Sequence, residues 1–385
     1  MLDGVWQRGL AGTYGMKLRN LDVLRACLAL MVLVGHARML LWMGWQDWKV
    51  LPHAWWEMAV SVFFAAFRFG HQAVMVFFAL SGFFIHLRAA QALVEGREQG
   101  FDALSYLARR ARRILPPYYA VLIFTVLLDA AGHHWFPRLY AAQTGSLLLD
   151  QNFADAGYRM NSVVPALLAQ PSLFGIRFGG NGPLWSIGHE VFYYLLYPLF
   201  MLVWLRHRAG AYVLGMLLGL ACWFVPLAGW WSGMMGSYPV WLAGALMAEV
   251  LLSWRKQQRG GVTLWAAACV MALAALAGLH RVSEHSPWTM VLNMVMGAAA
   301  IAAFEMMPFD VLKTKAGRVL EWLGLRSYIF HFPVLVLLSA WCFQTQGGLP
   351  SHGWLAALGA LLSLGAGLLG FHLVERRFMP SRQVA

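Results

Sequence analysis

Of the 385 residues, 60% are hydrophobic and 12% carry charge, and the mean hydropathy is +0.59. Soluble domains carry about 25% charge, so a water-soluble globule is excluded. Apolar runs of roughly 18–22 residues between short polar breaks indicate an all-α, polytopic membrane protein instead. The formal net charge of +12 would point to nucleic acid in a soluble chain. In a membrane protein, loop Lys and Arg set orientation, and no nucleic-acid partner is expected.

In chain order, residues 1–19 form a basic tail in which Met16 is a second candidate start. The apolar run after Lys17 exceeds the apolar core of a secretory signal and lacks a small-residue cleavage site, so it reads as a retained span. About ten transmembrane helices are predicted, near 20–43, 70–88, 114–131, 184–205, 211–229, 238–254, 263–280, 287–305, 326–344 and 354–374. Each is helical because an open segment satisfies its backbone in lipid only that way. With the N-terminus inside, the breaks 1–19, 88–113, 206–210, 255–262, 306–325 and 375–385 hold twenty Lys and Arg, against seven on the opposite side, counting Arg38 at the outer end of the first span. That bias places both termini in the cytoplasm. The expected organisation is a membrane domain over 20–378 between the tails 1–19 and 379–385. Two outer segments, 44–69 and 132–183, are rich in Trp, Tyr, Phe and Pro, and read as interfacial or re-entrant pieces roofing a cavity.

Ionisable residues inside spans are costly and draw attention to function. In the first span, LDVLRACLALMVLVGHAR places Arg25 and His36 eleven residues apart. Eleven residues is close to three turns, so both occupy one face about 16 Å apart along the axis. Arg25 is either a snorkelling residue at the membrane edge or a phosphate contact. His36 makes either an inter-helix hydrogen bond or a general base for a hydroxyl. In VMVFFALSGFF (74–84), Ser81-Gly82 supplies small residues for close helix packing. SYLARRARRILPPYY (105–119) carries four arginines at the cytoplasmic mouth of a span. Arg110 and Arg113 share a helical face there if the helix extends that far, and such a pair clamps phosphate.

NGPLWSIGHEVFYYLLYP (181–198) puts Glu190 inside the fourth span, where a carboxylate needs a partner or a proton, and His189 points about 100° away from it. SYIFHFPV (327–334) puts His331 in the ninth span, where a structural role outweighs a chemical one, beside a kinking Pro333. Cys27, Cys222, Cys269 and Cys342 lie far apart in apolar runs, with neither disulfide nor metal-ligand spacing, and no metal is expected. GxSxG, Walker and HExxH motifs are absent.

Taken together, LDxLR…H, VxVFFxLSGFFI, RRxRRIxPxYY, LWSxxxExFYYLxYP, SYxFHxP and a terminal VERRF resemble the acyltransferase-3 family of integral membrane acyltransferases. The resemblance runs from about residue 20 to 378. It implies a ten-helix bundle in the bacterial inner membrane that moves an acyl group, usually acetyl, from cytoplasmic acyl-CoA to a carbohydrate or glycolipid hydroxyl. Acyl-CoA enters as co-substrate, and no bound cofactor is implied. By the same resemblance His36, as general base or acyl relay, and Glu190 are catalytic, with Glu190 orienting or charge-stabilising the histidine. Arg25, Arg110 and Arg113 bind the donor, and Asp22, Ser81, Trp185, Tyr194, Ser327 and His331 are supporting candidates. Departures are visible: Val74 and Met75 stand where many members carry an aspartate before FF, His71-Gln72 replace small residues, and His189 adjoins the glutamate. No hydrolase-like domain of the kind fused to some members is expected after residue 385. The rival expectation is a transporter or flippase of a glycolipid or small polar substrate. Ten spans with intramembrane Arg, His and Glu suit such a pathway, although no inverted repeat stands out.

Overall fold

A computed structural model describes residues 18–97, 100–154, 156–171, 173, 175–224, 229–283, 286–324 and 329–378. Ser327 and most of both predicted tails lie outside the described residues, while Leu18 and Arg19 already belong to the first helix.

Ten long helices match the ten apolar runs: α1 Leu18–Leu41, α2 Gly70–Glu95, α3 Ala103–Trp135, α4 Trp185–Trp204, α5 Arg208–Phe224, α6 Gly229–Lys256, α7 Val262–Leu279, α8 Pro287–Glu305, α9 His331–Gln346 and α10 Trp354–Gly370. Among the described residues, eight helices are long and apolar enough to cross a membrane. The remaining two, α5 and α9, have 17 and 16 residues. The fold is therefore an all-α polytopic bundle. Its described β-structure is one parallel pair of two-residue strands, Ala156–Gly157 and Arg177–Phe178.

Several elements exceed the predicted spans. α2 runs on to Glu95 and stops where Gly96 adopts a left-handed φ of +67°. α3 begins eleven residues earlier than predicted, N-capped by Asp102, whose carboxylate accepts the Ser105 N–H at 3.0 Å. The arginine-rich stretch is thus helical, with Pro116 and Pro117 inside the same helix. The first outer segment is largely helical as well: Trp55–Ala65 leads through a 3₁₀ turn, Ala66–Phe69, into α2.

Lipid provides no hydrophobic drive between helices, so close packing must come from small residues. α2 and α6 form the broadest pairing, and two glycines make it. A Cβ on Gly82 would lie 1.9 Å from the Trp241 carbonyl oxygen, and one on Gly244 1.8 Å from that of Ala79. Within the same helix group His86, fully buried, places Nε2 2.9 Å from Glu249 Oε1 and Nδ1 3.1 Å from the Tyr197 hydroxyl. Trp204 Nε1 and the Tyr212 hydroxyl donate to the same Glu249 oxygen at 2.8 and 2.7 Å.

The second outer segment is drawn onto α3 through Asp129. Its Oδ2 accepts the Gly180 N–H and the Tyr158 hydroxyl, each at 2.6 Å. Gly179 tolerates the approach because it has no side chain, at a φ of +56° and with Asp129 Oδ2 2.4 Å from where a Cβ would sit. Asn181 Nδ2 then donates to Thr125 Oγ1 at 3.0 Å, which holds the loop leading into α4 over the bundle interior.

Candidate active site

α1 presents Arg25, Ala29, Val32 and His36, at spacings of four, three and four, to two adjoining cavities. The first, of about 240 Å³, is lined by Arg25 and Ala29 from α1, Ser81 from α2, Arg110 and Arg113 from α3, and Glu190 and Tyr194 from α4. The second, of about 330 Å³, holds His36, His331, His71 and Trp185. Val74, Ser186, Ile187 and Ile329 line both, so an uncharged neck joins them.

The first cavity is cationic. Arg110 and Arg113 line it, whereas Arg109 and Arg112, on the opposite face of α3, are exposed. The guanidinium of Arg110 lies 5.7 Å from the Tyr106 ring and 5.6 Å from the Tyr194 ring, and its buried Nε has no hydrogen-bond partner among the described residues. Arg25 is held from below by Asp22, with Nη1 3.5 Å from Oδ1, and sits 5.5 Å over the Phe84 ring. Glu190 accepts from the Ser81 hydroxyl at 3.2 Å and from the Tyr194 hydroxyl. Glu375 also lines this cavity from a π-helical turn, Phe371–Glu375, which continues α10 into the VERRF segment. Three guanidinium groups thus line the cavity with two carboxylates, and Asp22 pairs with Arg25 from behind the lining.

In the second cavity His36 Nδ1 lies 2.9 Å from His331 Nε2, and the rings stack with centroids 5.2 Å apart. Phe332 meets the His36 ring edge-on at 4.9 Å. His331 is the first residue of α9, which explains that helix's shortness: it starts inside the bundle, beside the cavity. Its carbonyl accepts the Ser363 hydroxyl of α10 at 3.0 Å, fixing this helix start. His36 Nε2 takes no hydrogen bond among the described residues. For Nε2 to accept a proton, Nδ1 must carry one and donate it to His331 Nε2, which sets both tautomers.

The acyltransferase-3 family, described as an acyltransferase domain, matches residues 18–373. The chain belongs to this family. It is accordingly a multi-pass membrane acyltransferase by descent, and the pair of joined cavities is its candidate site. The chain is also similar to the peptidoglycan O-acetyltransferase OatA of Listeria monocytogenes, 23% identical over 334 residues, covering 80% of this chain. It spans about half (51%) of that relative's length. No solved structure matches the chain.

Of the site residues read from the sequence, Arg25, Ser81, Arg110, Arg113, Glu190 and Tyr194 come together in the first cavity, with Asp22 behind Arg25. His36, His331 and Trp185 come together in the second. The expected contact between Glu190 and His36 is the correction: the histidine's partner is His331, while Ser81 and Tyr194 hold the glutamate among the arginines. The acyltransferase-3 resemblance explains why both residues occur, but their pairing depends on how α4 and α9 turn. Glu375 was missed, although the quoted VERRF contains it. His86 and Glu249 were missed too; an ionisable residue in each of two apolar spans was the available signal.

Proposed function

We propose that the chain is an O-acyltransferase that moves an acyl group, acetyl by preference, from cytoplasmic acyl-CoA to a carbohydrate hydroxyl on the far side of the bacterial inner membrane. The observation that carries this reading is the joined pair of cavities: a cationic one ending the Arg25 side of α1, and a histidine chamber one apolar neck away. Donor phosphates suit Arg25, Arg110 and Arg113, since guanidinium groups bind phosphate oxygens through paired N–H donors. At about 240 Å³ the first cavity is smaller than the roughly 300–1,000 Å³ that encloses a drug-sized ligand. It therefore suits the donor's phosphates at the arginines with the slender neutral arm passing on through the neck, while the nucleoside stays in water at the mouth. The Lys and Arg bias of the loops supports placing that mouth, and both termini, in the cytoplasm.

In the histidine chamber His36 Nε2 removes the acceptor hydroxyl's proton as the oxygen attacks the thioester carbonyl carbon. The new C–O bond forms, the C–S bond breaks, and the proton passes from the imidazolium to the departing CoA thiolate. The products are the ester and CoA. His331, accepting from His36 Nδ1–H, orients the ring and shares the transient positive charge. Glu190 acts one cavity away, holding Tyr194 against Arg110 and balancing the arginines. The similarity to a relative named a peptidoglycan O-acetyltransferase supports oxygen as the acceptor atom and acetyl as the group. The test is CoA binding by purified protein. Micromolar binding lost on Arg110→Gln/Arg113→Gln substitution is expected, whereas a folded wild-type protein without affinity for CoA overturns the reading in favour of transport.

A further inference from the structure

A third cavity, of about 430 Å³, opens beside the histidine chamber and shares His71 and Trp185 with it. Gln170 and Arg177 reach it from the second outer segment, and His189 and Ser237 from α4 and α6. The three cavities thus form a series with His36 in the middle. The cationic cavity adjoins the chamber through the apolar neck, and the third adjoins it through the His71–Trp185 pair, whose rings stack with centroids 5.8 Å apart. Two substrates that meet at one histidine need two approaches, and the arginine-lined one fits the donor. Resting on that reading, we infer that the third cavity is the acceptor subsite and that it takes a sugar ring bearing an acidic substituent.

The lining carries the chemistry. A sugar ring has an apolar face of C–H groups and a rim of hydroxyls. Such a ring suits an aromatic platform edged with mixed donors and acceptors. Trp185 supplies the platform, buttressed edge-on by Phe78 at 6.0 Å and His189 at 4.9 Å. Gln170 and Ser237 supply neutral polar groups. Gln170 also donates to the Gly188 carbonyl at 3.1 Å, which ties the outer segment to α4 at the cavity wall. Arg177 lines the space and no carboxylate is among the described lining residues, so an anionic substituent is favoured over a cationic one. Arg177 is pre-positioned by Asn152, its Nη1 donating to the backbone carbonyl at 3.0 Å and to the side-chain oxygen at 2.5 Å. His71, one of the two residues that depart from the acyltransferase-3 pattern there, lies at this boundary.

The test uses full-length protein in native membranes, following labelled acetyl from acetyl-CoA into envelope carbohydrate with trigalacturonate or maltotriose as soluble competitors. Trigalacturonate is expected to inhibit at least tenfold more strongly than maltotriose. Arg177→Gln should abolish that preference, and Trp185→Ala should weaken inhibition by both, with Trp185→Phe restoring part of it. The KM for acetyl-CoA should stay within twofold in each variant. Equal inhibition by the two sugars, or inhibition unchanged in both Arg177→Gln and Trp185→Ala, overturns the inference. A thermal shift of the purified protein by the same sugars reads the subsite without turnover. If wild-type membranes transfer no label at all, the proposed activity fails, while a trigalacturonate-specific shift lost in Arg177→Gln would still uphold the subsite and its absence would overturn it.

Discussion

Two buried histidines in this bundle occupy opposite situations. His86 has both ring nitrogens engaged, by Glu249 and Tyr197, and its ring is boxed edge-on by Tyr197, Phe200, Trp204 and Tyr212. His36 has one nitrogen engaged, by a second histidine, and lines a cavity of about 330 Å³. A satisfied imidazole sealed among rings holds helices together. One with a lone pair turned towards open space, and a partner that fixes its tautomer, is available for proton transfer. The polarity of the residue is the same in both places; what differs is whether room remains beside it.

Breaking the sealed network should affect stability and leave the reaction alone. Glu249→Ala removes the acceptor for His86, Trp204 and Tyr212 at once, and truncating one partner of a buried ionic network costs about 3–5 kcal/mol. A large fall in melting temperature is expected, with an unchanged KM for acetyl-CoA in whatever protein remains folded. In the cationic cavity the signs reverse. Arg113→Gln should leave the melting temperature close to wild type and weaken the donor by about 1.5–3 kcal/mol, the usual worth of a hydrogen bond to a charged group. That corresponds to a KM for acetyl-CoA raised roughly 10–150-fold, with little change in kcat.

His331→Leu sharpens the comparison from the chamber side. Leucine offers no acceptor for the His36 Nδ1 proton, so kcat should fall by on the order of tenfold, the effect of losing a ring-orienting partner. The pH–rate profile should shift with it, whereas a purely structural role for His331 would leave the profile in place. The smallest effect lies outside the membrane. Asp102 has its carboxyl lowered below the ordinary range by the hydrogen bonds from Ser105. Its capping is therefore complete above the unfolded-state pKa and fades as pH falls through the lower folded-state value. The protection factor of the Ser105 amide should fall in Asp102→Ala at neutral pH, and in the wild type only in acid.

The sequence made the helices legible because each apolar run must satisfy its own backbone in lipid, so every predicted span has its helix. Spacing along α1 was equally readable: Arg25 and His36 do share one face, ending in two joined cavities. Partnerships between helices were not. His36 and His331 lie 295 residues apart, and nothing local to either stretch says that α9 starts beside α1. Glu190 went to the arginines rather than to His36 for the same reason. In spans that are apolar nearly all round, periodicity does not mark which face turns inwards, so the rotation of α4 is fixed by packing alone. The start of α3 was also misjudged: the predicted span opens near 114, after the arginines, whereas the helix begins at Ala103 and runs on through Pro116 and Pro117.

The central claim, that His36 moves the proton in a chamber between donor and acceptor, is tested most directly by His36→Ala at equal amounts of folded protein. Labelled acetyl transfer from acetyl-CoA in native membranes should fall by about 10²–10⁴-fold, the usual contribution of a positioned acid–base group. CoA binding and melting temperature should stay at wild-type values. Full transfer by the folded variant would contradict the account.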